Sequence, residues 1–247
     1  MTVNKFIVGT SEVKTKQVNL KFTVFRAIDN PVLCEEYANG HLKLLKEYGV
    51  TSITSNNRIW AQNPGTYIVL ARDMDSNDLV GGIRIQRYSK EHPLLVQDAI
   101  SENVPELDGR IEDHHEKFGS GEMCGLWNSK AVAKMGVSWM LTRASVVICS
   151  QVGVESLWGI CANYTLRMFE SVGYRIIRDL GDEGKFPYPT EDYISHPVWM
   201  NTTSLVTTSE EARDEILDLR KSLQQKRNFE GTDFGISTDY NLQLRNI

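Results

Sequence analysis

The stretch 122–174 constrains the fold of this chain more than any other, because strand-like and helix-like patterns alternate along it. Residues 122–127 are apolar and aromatic over a short run, which is typical of a buried strand. Asn128 follows, and its side chain favours the start of a helix. Residues 155–161 predict a second strand, and residues 163–173 predict a second helix. This order predicts two neighbouring parallel strands with a helix between them.

The first helix of this unit is predicted over 131–149, with one narrow polar stripe and an otherwise apolar surface that indicates burial. The stripe consists of Lys134, Ser138, Thr142 and Ser145. The start of a helix that follows a strand binds anions, because its first N–H groups are unpaired and the helix dipole adds positive charge. Gly136 lies inside this helix either because another group approaches closely there or because a neighbouring element packs against it.

Other parts of the chain carry weaker local patterns. Strands are predicted over 22–28, 66–72, 79–88, 174–180 and 196–203. A helix is predicted from Pro31 to Gly49, and a second is predicted over 209–227 with Thr208 and Glu211 as a capping box. The last helix could pack on the body of the protein or on a second subunit. Residues after Asn228 show no clear pattern.

Four short motifs follow one another in a fixed order. They are VGGIRI at 80–85, LLV at 94–96 with VPEL at 104–107, GEMC at 121–124, and LRMFESVGY at 166–174. In this order and spacing they resemble the GNAT superfamily of N-acetyltransferases. More closely, the chain is similar to the branch of acyl-homoserine-lactone synthases and N-acyl amino acid synthases. The resemblance covers residues 22 to about 177 of 247.

The resemblance implies an α/β (α+β), GNAT-like fold with a mixed central β-sheet of about seven strands, flanking helices and a C-terminal helix. It divides the chain into an N-terminal arm, 1–21, and an acyltransferase domain, 22–204. The domain contains an insertion at 89–120 that could lengthen an acyl pocket. The C-terminal helix and tail occupy 205–247.

The resemblance also implies a reaction, in which an acyl group moves from a coenzyme A or acyl carrier protein thioester to a small-molecule amine. One strand would separate from its parallel neighbour and leave a wedge-shaped gap. The pantetheine arm would pair with the exposed strand edge in this gap, and the phosphates would lie at the helix start. The residues expected to bind this donor are Leu126, Trp127, Asn128, Lys134, Gly136, Val137 and Ser138. Lys130, Lys134 and Arg143 could contact coenzyme A phosphates or an acidic carrier protein.

Glu122 and Arg84 are the candidate catalytic residues. Glu122 matches a glutamate of the lactone synthases and would accept the proton of the amine. Arg84 lies on an apolar strand, where a buried arginine requires a carboxylate or a ligand. A structural ion pair between the two residues is the alternative. Gly125 stands where the lactone synthases carry an arginine, which argues against their S-adenosylmethionine substrate in this chain.

Several other polar residues favour structural roles. His41 is expected to be a core histidine whose hydrogen bonds are satisfied, rather than a ligand or a base. Cys124 has no histidine nearby in the sequence and is expected to be a small core residue. Tyr164 could replace the tyrosine acid of many acetyltransferases, which is Phe169 here, although packing is preferred. No metal site is expected from the spacing of possible ligands. Residues 73–78 resemble the start of a calcium loop but have Asp78 where the loop requires glycine.

Composition narrows the class of protein. The chain has 41% hydrophobic residues and a net charge of −5, so a general nucleic-acid partner is not expected. Its four cysteines form no C-x-x-C pair, and the N-terminal residues lack a long apolar run. These features predict a cytoplasmic protein without a membrane span. Two alternatives stay open beside the N-acyltransferase: an ordinary acetyl-CoA-dependent N-acetyltransferase, and a non-catalytic protein that binds acyl ligands.

Overall fold

The computed structural model describes residues 16–47, 49, 58–231 and 234–245 of the chain. Most of the predicted N-terminal arm, 1–21, lies outside the described residues. So does the first half of segment 51–65, which the resemblance suggested would lie beside the substrate pocket. How the chain divides into arm, domain and tail stays a prediction.

The described residues form ten strands in one mixed sheet. The strands are β1 Lys16–Arg26, β2 Thr66–Asp73, β3 Leu79–Arg87, β4 Ser120–Asn128, β5 Ser156–Ala162, β6 Arg175–Ile176, β7 Phe186–Pro187, β8 Ile194–Asn201, β9 Gln224–Glu230 and β10 Phe234–Asn241. The mixed α/β architecture is confirmed, with more strands than the seven expected because β6 and β7 are two-residue pieces and β9 and β10 were not predicted.

Six α-helices accompany this sheet in the described part of the chain. They are α1 Pro31–Glu47, α2 Leu95–Ile100, α3 Glu106–Phe118, α4 Val137–Cys149, α5 Asn163–Val172 and α6 Glu210–Lys221. The start of α1 is fixed as expected, because the side chain of Asn30 accepts a hydrogen bond from the amide of Leu33 at 3.1 Å. Gly173 closes α5 in the left-handed conformation, with a φ of 116°.

The strands follow the order β6-β8-β5-β4-β3-β2-β1-β10-β9, and β7 pairs with β8 beside this path. Two neighbouring pairs in this order are parallel, namely β1 with β10 and β4 with β5. The other pairs are antiparallel. The prediction that β4 and β5 are parallel neighbours is therefore confirmed.

Helices cover both faces of the sheet at its centre. Two adjacent glycines of β3 show this, because a Cβ atom at Gly82 would touch the ring of Tyr37 on α1, whereas one at Gly81 would touch Leu141 on α4. Side chains therefore alternate between an α1 face and an α4 face along β3. The α1 face carries Arg84, and its cross-strand partner Cys124 lies on the same face.

The C-terminal region differs most from its prediction. The predicted helix over 209–227 ends at Lys221, and the chain then returns as β9. Ser209 caps α6 instead of Thr208, since its side chain accepts a hydrogen bond from the amide of Ala212 at 3.3 Å. Strand β8 is not the last strand, because β10 pairs with β1 inside the sheet. The apolar side of α6 is buried against the body of the protein.

Candidate active site

A gap opens between β4 and β5 at the centre of the sheet. The two strands pair over three positions, from Ser120 with Ser156 to Glu122 with Trp158. Beyond Glu122, β4 continues beside β3 as far as Asn128, and β5 continues beside β8 as far as Ala162. The facing edges of β4 and β5 therefore separate, which leaves backbone N–H and C=O groups between them for another partner.

A bulge in β4 shapes one wall of this gap. The register between β3 and β4 shifts between Gly82 and Arg84, so β4 has one extra residue there. Gly125 lies in the bulge with a φ of 62°, and its carbonyl accepts a hydrogen bond from the Tyr37 hydroxyl at 2.7 Å. A Cβ atom at Gly125 would lie 2.3 Å from that hydroxyl oxygen. Glycine is thus required both by the backbone conformation and by the contact.

Two cavities occupy the gap. The inner cavity, of about 230 Å³, reaches the pairing end of the strands and is lined by Glu122, Cys124, Ile160 and Phe169 among others. The outer cavity, of about 780 Å³, extends to the start of α4 and is lined by Trp127, Asn128, Lys134 and Ser138 among others. Both cavities share five lining residues. These are His41, Leu45, Leu126, Tyr164 and Thr165.

Glu122 lies at the inner end of the gap with 1% of its surface exposed. Its carboxylate accepts a hydrogen bond from the amide of Val96, in the first turn of α2, at 3.3 Å. Burial raises the pKa of Glu122 to about 7, although the Val96 amide and the Arg84 charge offset part of that effect. A carboxyl group with this pKa can accept and release a proton near neutral pH.

Arg84 lies one layer behind the cavity wall and is almost completely buried. Its Nε donates to the Sγ atom of Cys124 at 3.1 Å, and its guanidinium lies 4.2 Å from the centre of the Trp60 ring. Its Nη2 atom has no hydrogen-bond partner among the described residues. No ion pair joins Arg84 to Glu122 within the described part of the chain, so the charge of Arg84 acts on that carboxylate without direct contact.

The start of α4 differs from its prediction. A 3-10 turn, Lys130–Val132, follows β4, and α4 begins at Val137 rather than at Ala131. Gly136 is the N-cap with a φ of 80°, and a Cβ atom there would meet nothing within 4 Å. Of the two explanations considered for Gly136, packing of a neighbouring element is therefore wrong, and the left-handed backbone itself requires glycine there.

Five of the seven predicted donor-binding residues line the outer cavity, and Gly136 and Val137 do not. Asn128, Lys134 and Ser138 line the outer cavity, and Ser138 donates a hydrogen bond to the side chain of Asn128. Val137 is buried in the core, so that only its backbone could face a ligand. Gly136 offers backbone alone. The first N–H groups of α4 have no carbonyl partner within the helix, as at any helix start.

Three basic side chains and no acidic one belong to the described residues that line the outer cavity. The basic residues are Lys130, Lys134 and Arg167. Lys130 also forms an ion pair with Glu47 on α1, at 2.9 Å. Arg143, also considered from sequence, does not line this cavity and forms ion pairs with Glu211 and Glu215 on α6. Sequence reasoning missed Arg167, although its place one turn into α5 was a usable signal. This charge distribution favours an anionic ligand at the outer end of the gap.

His41 lines the cavities rather than lying in the core, where sequence reasoning had placed it. It was expected to be a satisfied core histidine, yet it lines both cavities and makes no hydrogen bond to any described residue. Burial, together with the charge of Arg84, lowers the pKa of His41 to about 4. The ring is therefore neutral at pH 7. Tyr164 also lines both cavities and is 82% exposed, so the packing role preferred for it is wrong.

Two other classes of site find no support in the part of the chain that is described. Burial raises the pKa of Cys124 to about 11, so its thiol stays protonated and is not activated as a nucleophile. No group of three or more metal-ligating side chains occurs among the described residues. Within the same residues, no helix has both the length and the apolar character needed to cross a bilayer.

Comparison with known proteins supports the fold. No protein-family model and no curated protein matches the sequence. Among solved structures, FeeM, an N-acyl amino acid synthase from uncultured soil microbes, aligns with a TM-score of 0.57 and 12% identity, over 74% of this chain and 93% of that chain. MesI, a CoA-dependent acyl-homoserine lactone synthase, aligns with a TM-score of 0.53 and 14% identity, over 86% and 98%.

A Lactobacillus plantarum protein described as an N-acetyltransferase aligns with a TM-score of 0.51 and 11% identity, over 74% of this chain and 99% of that chain. At these identities the likeness establishes the fold. The chain therefore has the mixed α/β, GNAT-like fold that these solved structures share.

Proposed function

Starting from that fold, we propose that this protein is an N-acyltransferase that moves an acyl group from a thioester to an amine. The observation that carries the proposal is the gap between β4 and β5, whose pairing ends at Glu122. The gap combines free strand edges, a basic outer end and a carboxyl group with a pKa of about 7 at its inner end. These are the groups that acyl transfer from an anionic thioester to an amine requires.

The donor lies along the gap. Its pantetheine arm pairs with the free edge of β4, as an added strand would. Its phosphates lie at the start of α4, near Lys134 and Ser138, where unpaired amides and basic side chains attract anions. Its acyl chain enters the inner cavity, which is lined by apolar side chains such as Ile160 and Phe169. Coenzyme A is the donor that we favour, because MesI is described as CoA-dependent.

Glu122 is the base of the proposed reaction. The amine reaches the thioester carbonyl as a neutral nucleophile, and Glu122 takes its proton directly or through a water molecule. Arg84 is a positioning residue, because it lies behind Cys124 and bonds to that residue rather than facing the cavity. Its positive charge keeps the pKa of Glu122 from rising further.

Two other functions use the same gap. An ordinary acetyl-CoA-dependent N-acetyltransferase would need only the outer cavity and the point at which the two cavities meet. The inner cavity of about 230 Å³ offers room for a longer acyl chain. A non-catalytic acyl-ligand-binding protein would keep the cavities without needing a titratable Glu122. Use of an acyl carrier protein, and assembly as a homodimer, stay predictions.

Release of free thiol tests the proposal. The protein is incubated with acetyl-CoA, longer acyl-CoAs or an acylated carrier protein and a panel of primary amines, and thiol is followed colorimetrically. We expect amine-dependent thiol release and an N-acyl product of matching mass, with Glu122→Gln at least 100-fold slower. Tight acyl-CoA binding without thiol release from any amine would instead identify a binding protein.

A matched control separates the site from the surface charge of the protein. Lys226, on the exposed edge strand β9, is replaced by Ala as the counterpart of Lys134→Ala. Only the Lys134 variant is expected to weaken acyl-CoA binding. Equal weakening by both would show that binding follows net charge rather than the gap.

A further inference from the structure

The two cavities meet at a junction that any ligand spanning them must cross. If phosphates lie at the start of α4 and the acyl chain lies beside Glu122, the thioester group itself lies at this junction. Three polar side chains line the junction. Thr165 donates its hydroxyl to the carbonyl of Ala162 at 2.9 Å, and Tyr164 is 82% exposed at the rim. His41 and Thr165 are both half-buried, but the Thr165 hydroxyl is already bonded to the backbone of its own helix.

The ring of His41 is held against the bulge of β4. It follows Tyr37 by one turn of α1, and the two rings are stacked with their centres 6.4 Å apart and their planes at 15°. Its Cε1 atom lies 3.9 Å from the point that a Cβ atom of Gly125 would occupy. His41 thus stands beside the same bulge whose backbone borders the gap, with no hydrogen bond to any described residue.

The charge state of His41 restricts what it can do. Burial and Arg84 lower its pKa to about 4, so the ring is a weak base at neutral pH but keeps one N–H group that can donate. A neutral imidazole with a lowered pKa can polarise a carbonyl group in an enzyme site. Glu122, whose pKa is raised to about 7, is the better base of the two.

We infer that His41 is a second catalytic residue, which donates its ring N–H to the carbonyl oxygen of the bound thioester and stabilises the oxyanion formed from it. The inference rests on the proposed function. The amine nitrogen attacks the carbonyl carbon, the π electrons move to the oxygen held by His41, and Glu122 takes the amine proton. Collapse of the intermediate breaks the C–S bond, and the thiolate leaves with that proton as free thiol.

Infrared spectroscopy of the bound donor tests this contact without turnover. An acyl-CoA labelled with ¹³C at the thioester carbonyl is bound to the protein with no amine present. We expect the carbonyl stretch to move to lower frequency in the wild type and in His41→Asn, which keeps a donor. In His41→Phe, which keeps a ring but no donor, the stretch should match that of free acyl-CoA. An equal shift in His41→Phe would overturn the inference.

Kinetics provide the second test. His41→Phe is expected to lower kcat by about 100-fold or more with little change in KM, as loss of one oxyanion donor does, and His41→Asn should recover much of the rate. The rise of kcat with pH should keep its midpoint near pH 7 in both variants, because that rise reflects the deprotonation of Glu122. Lys43→Ala, an exposed position on α1, is the folding control and should leave kcat unchanged.

The outcomes distinguish this inference from the proposed function. If labelled acyl-CoA does not bind to the wild type, or no amine releases thiol, the proposed function fails and His41 loses its role with it. If the wild type transfers acyl groups but His41→Phe stays within threefold of its kcat, the enzyme stands and the inference about His41 is wrong. If His41→Asn is as slow as His41→Phe and the pH limb moves, His41 is a base rather than a donor.

Discussion

The sheet contains two parallel strand pairs that behave differently. Strands β1 and β10 pair along eight positions, from Lys16 with Phe234 to Thr23 with Asn241. Strands β4 and β5 pair along three positions and then separate. Parallel pairing does not itself cause separation, since the first pair stays closed. The difference must arise from what surrounds the second pair.

Three features accompany the separation. Strand β4 carries a bulge at Gly125, whose carbonyl accepts a hydrogen bond from the Tyr37 hydroxyl on α1. The other edge of β5 pairs with β8 as far as Ala162, so that strand follows β8 rather than β4. Buried Glu122 marks the last paired position, and the Val96 amide binds its carboxylate. The closed pair joins a hairpin to the sheet, whereas the open pair leaves edges for a ligand.

A larger side chain at Gly125, in the bulge of β4, should disturb the open strand pair more than any other change. In Gly125→Val a branched side chain would have to adopt a left-handed backbone and displace the buried Tyr37 hydroxyl. We expect the free energy of unfolding to fall by about 4 kcal/mol, from backbone strain and overpacking together. Urea denaturation measures this change, and acyl-CoA binding should be lost as well.

The closed pair supplies the control. A Cβ atom at Gly235 on β10 would meet the end of the Gln17 side chain, which can move, and Gly235 has no left-handed backbone to strain. Gly235→Ala should therefore change the free energy of unfolding by less than about 1 kcal/mol. A larger loss in Gly235→Ala than in Gly125→Val would contradict the account of the bulge.

Replacement of Glu122, at the last paired position of β4 and β5, should have the next largest effect, on the rate of acyl transfer. Glu122→Gln keeps the shape of the side chain and its contact with α2 but removes the base. We expect kcat to fall by about 100-fold or more, equivalent to about 3 kcal/mol at the transition state. Stopped-time assays of thiol release measure it. Full activity in this variant would remove Glu122 from the mechanism.

Glu122 should also leave a signature in stability. Its pKa is raised from 4.5 to about 7 in the folded protein, so between these values the native state holds a proton that the unfolded state has lost. The free energy of unfolding therefore falls as pH rises through this window, by up to about 3 kcal/mol. Relative to the wild type, Glu122→Gln should gain that stability between pH 4.5 and 7. A constant difference across this range would show that Glu122 titrates normally.

Sequence alone predicted the open pair better than the closed one. Residues 122–127 and 155–161 are apolar runs in a recognisable order, and they form β4 and β5. Strand β9, QQKRNFE, is an exposed edge with a polar pattern. Its first half was therefore included in the helix predicted over 209–227, and its end was left without a pattern. Its partner β10 is fixed only by pairing with β1, which lies about two hundred residues earlier.

The same limit explains what sequence missed in the site. The resemblance implied that the two parallel strands separate, but it did not give the position at which their pairing ends. That position, Glu122, depends on β3 and β8 holding the two strands on their outer sides, which no local pattern records. The left-handed backbones of Lys134 and Gly136, which delay the start of α4, are equally invisible in a helical pattern. His41 was assigned to the core because its neighbours at the junction come from β4 and α5, far away in the sequence.

Removal of one positive charge at the outer end of the gap should have a smaller effect, on the affinity for acyl-CoA. Lys134→Ala removes one of three basic side chains that line the outer cavity. We expect the dissociation constant of acyl-CoA to rise by about fivefold, which corresponds to about 1 kcal/mol. Binding of an acyl-pantetheine without phosphates should not change, and calorimetry can compare the two ligands. An equal loss for both ligands would mean that Lys134 does not contact the phosphates.

The smallest predicted effect is that of Arg84, the buried charge behind Cys124, on the pKa values of its neighbours. Arg84 lowers the pKa of both His41 and Glu122, so Arg84→Met should raise both values. Titration of the His41 ring by NMR, with ¹³C-labelled histidine, measures the first of these. Arg72→Met, on β2 and paired with Glu36 instead, is the matched control and should leave the His41 pKa unchanged. A fall in the His41 pKa in Arg84→Met would contradict the assigned direction.

Hydrogen exchange tests most directly whether the thioester occupies the gap between β4 and β5. Amide exchange is measured with and without a saturating acyl-CoA thioether, which cannot react. The account predicts slower exchange at 123–126 and at 159–162, and no change along β1 and β10, where the strands are already paired. Saturated binding that leaves the amides of β4 and β5 unprotected, or that protects β1 and β10 instead, would contradict it.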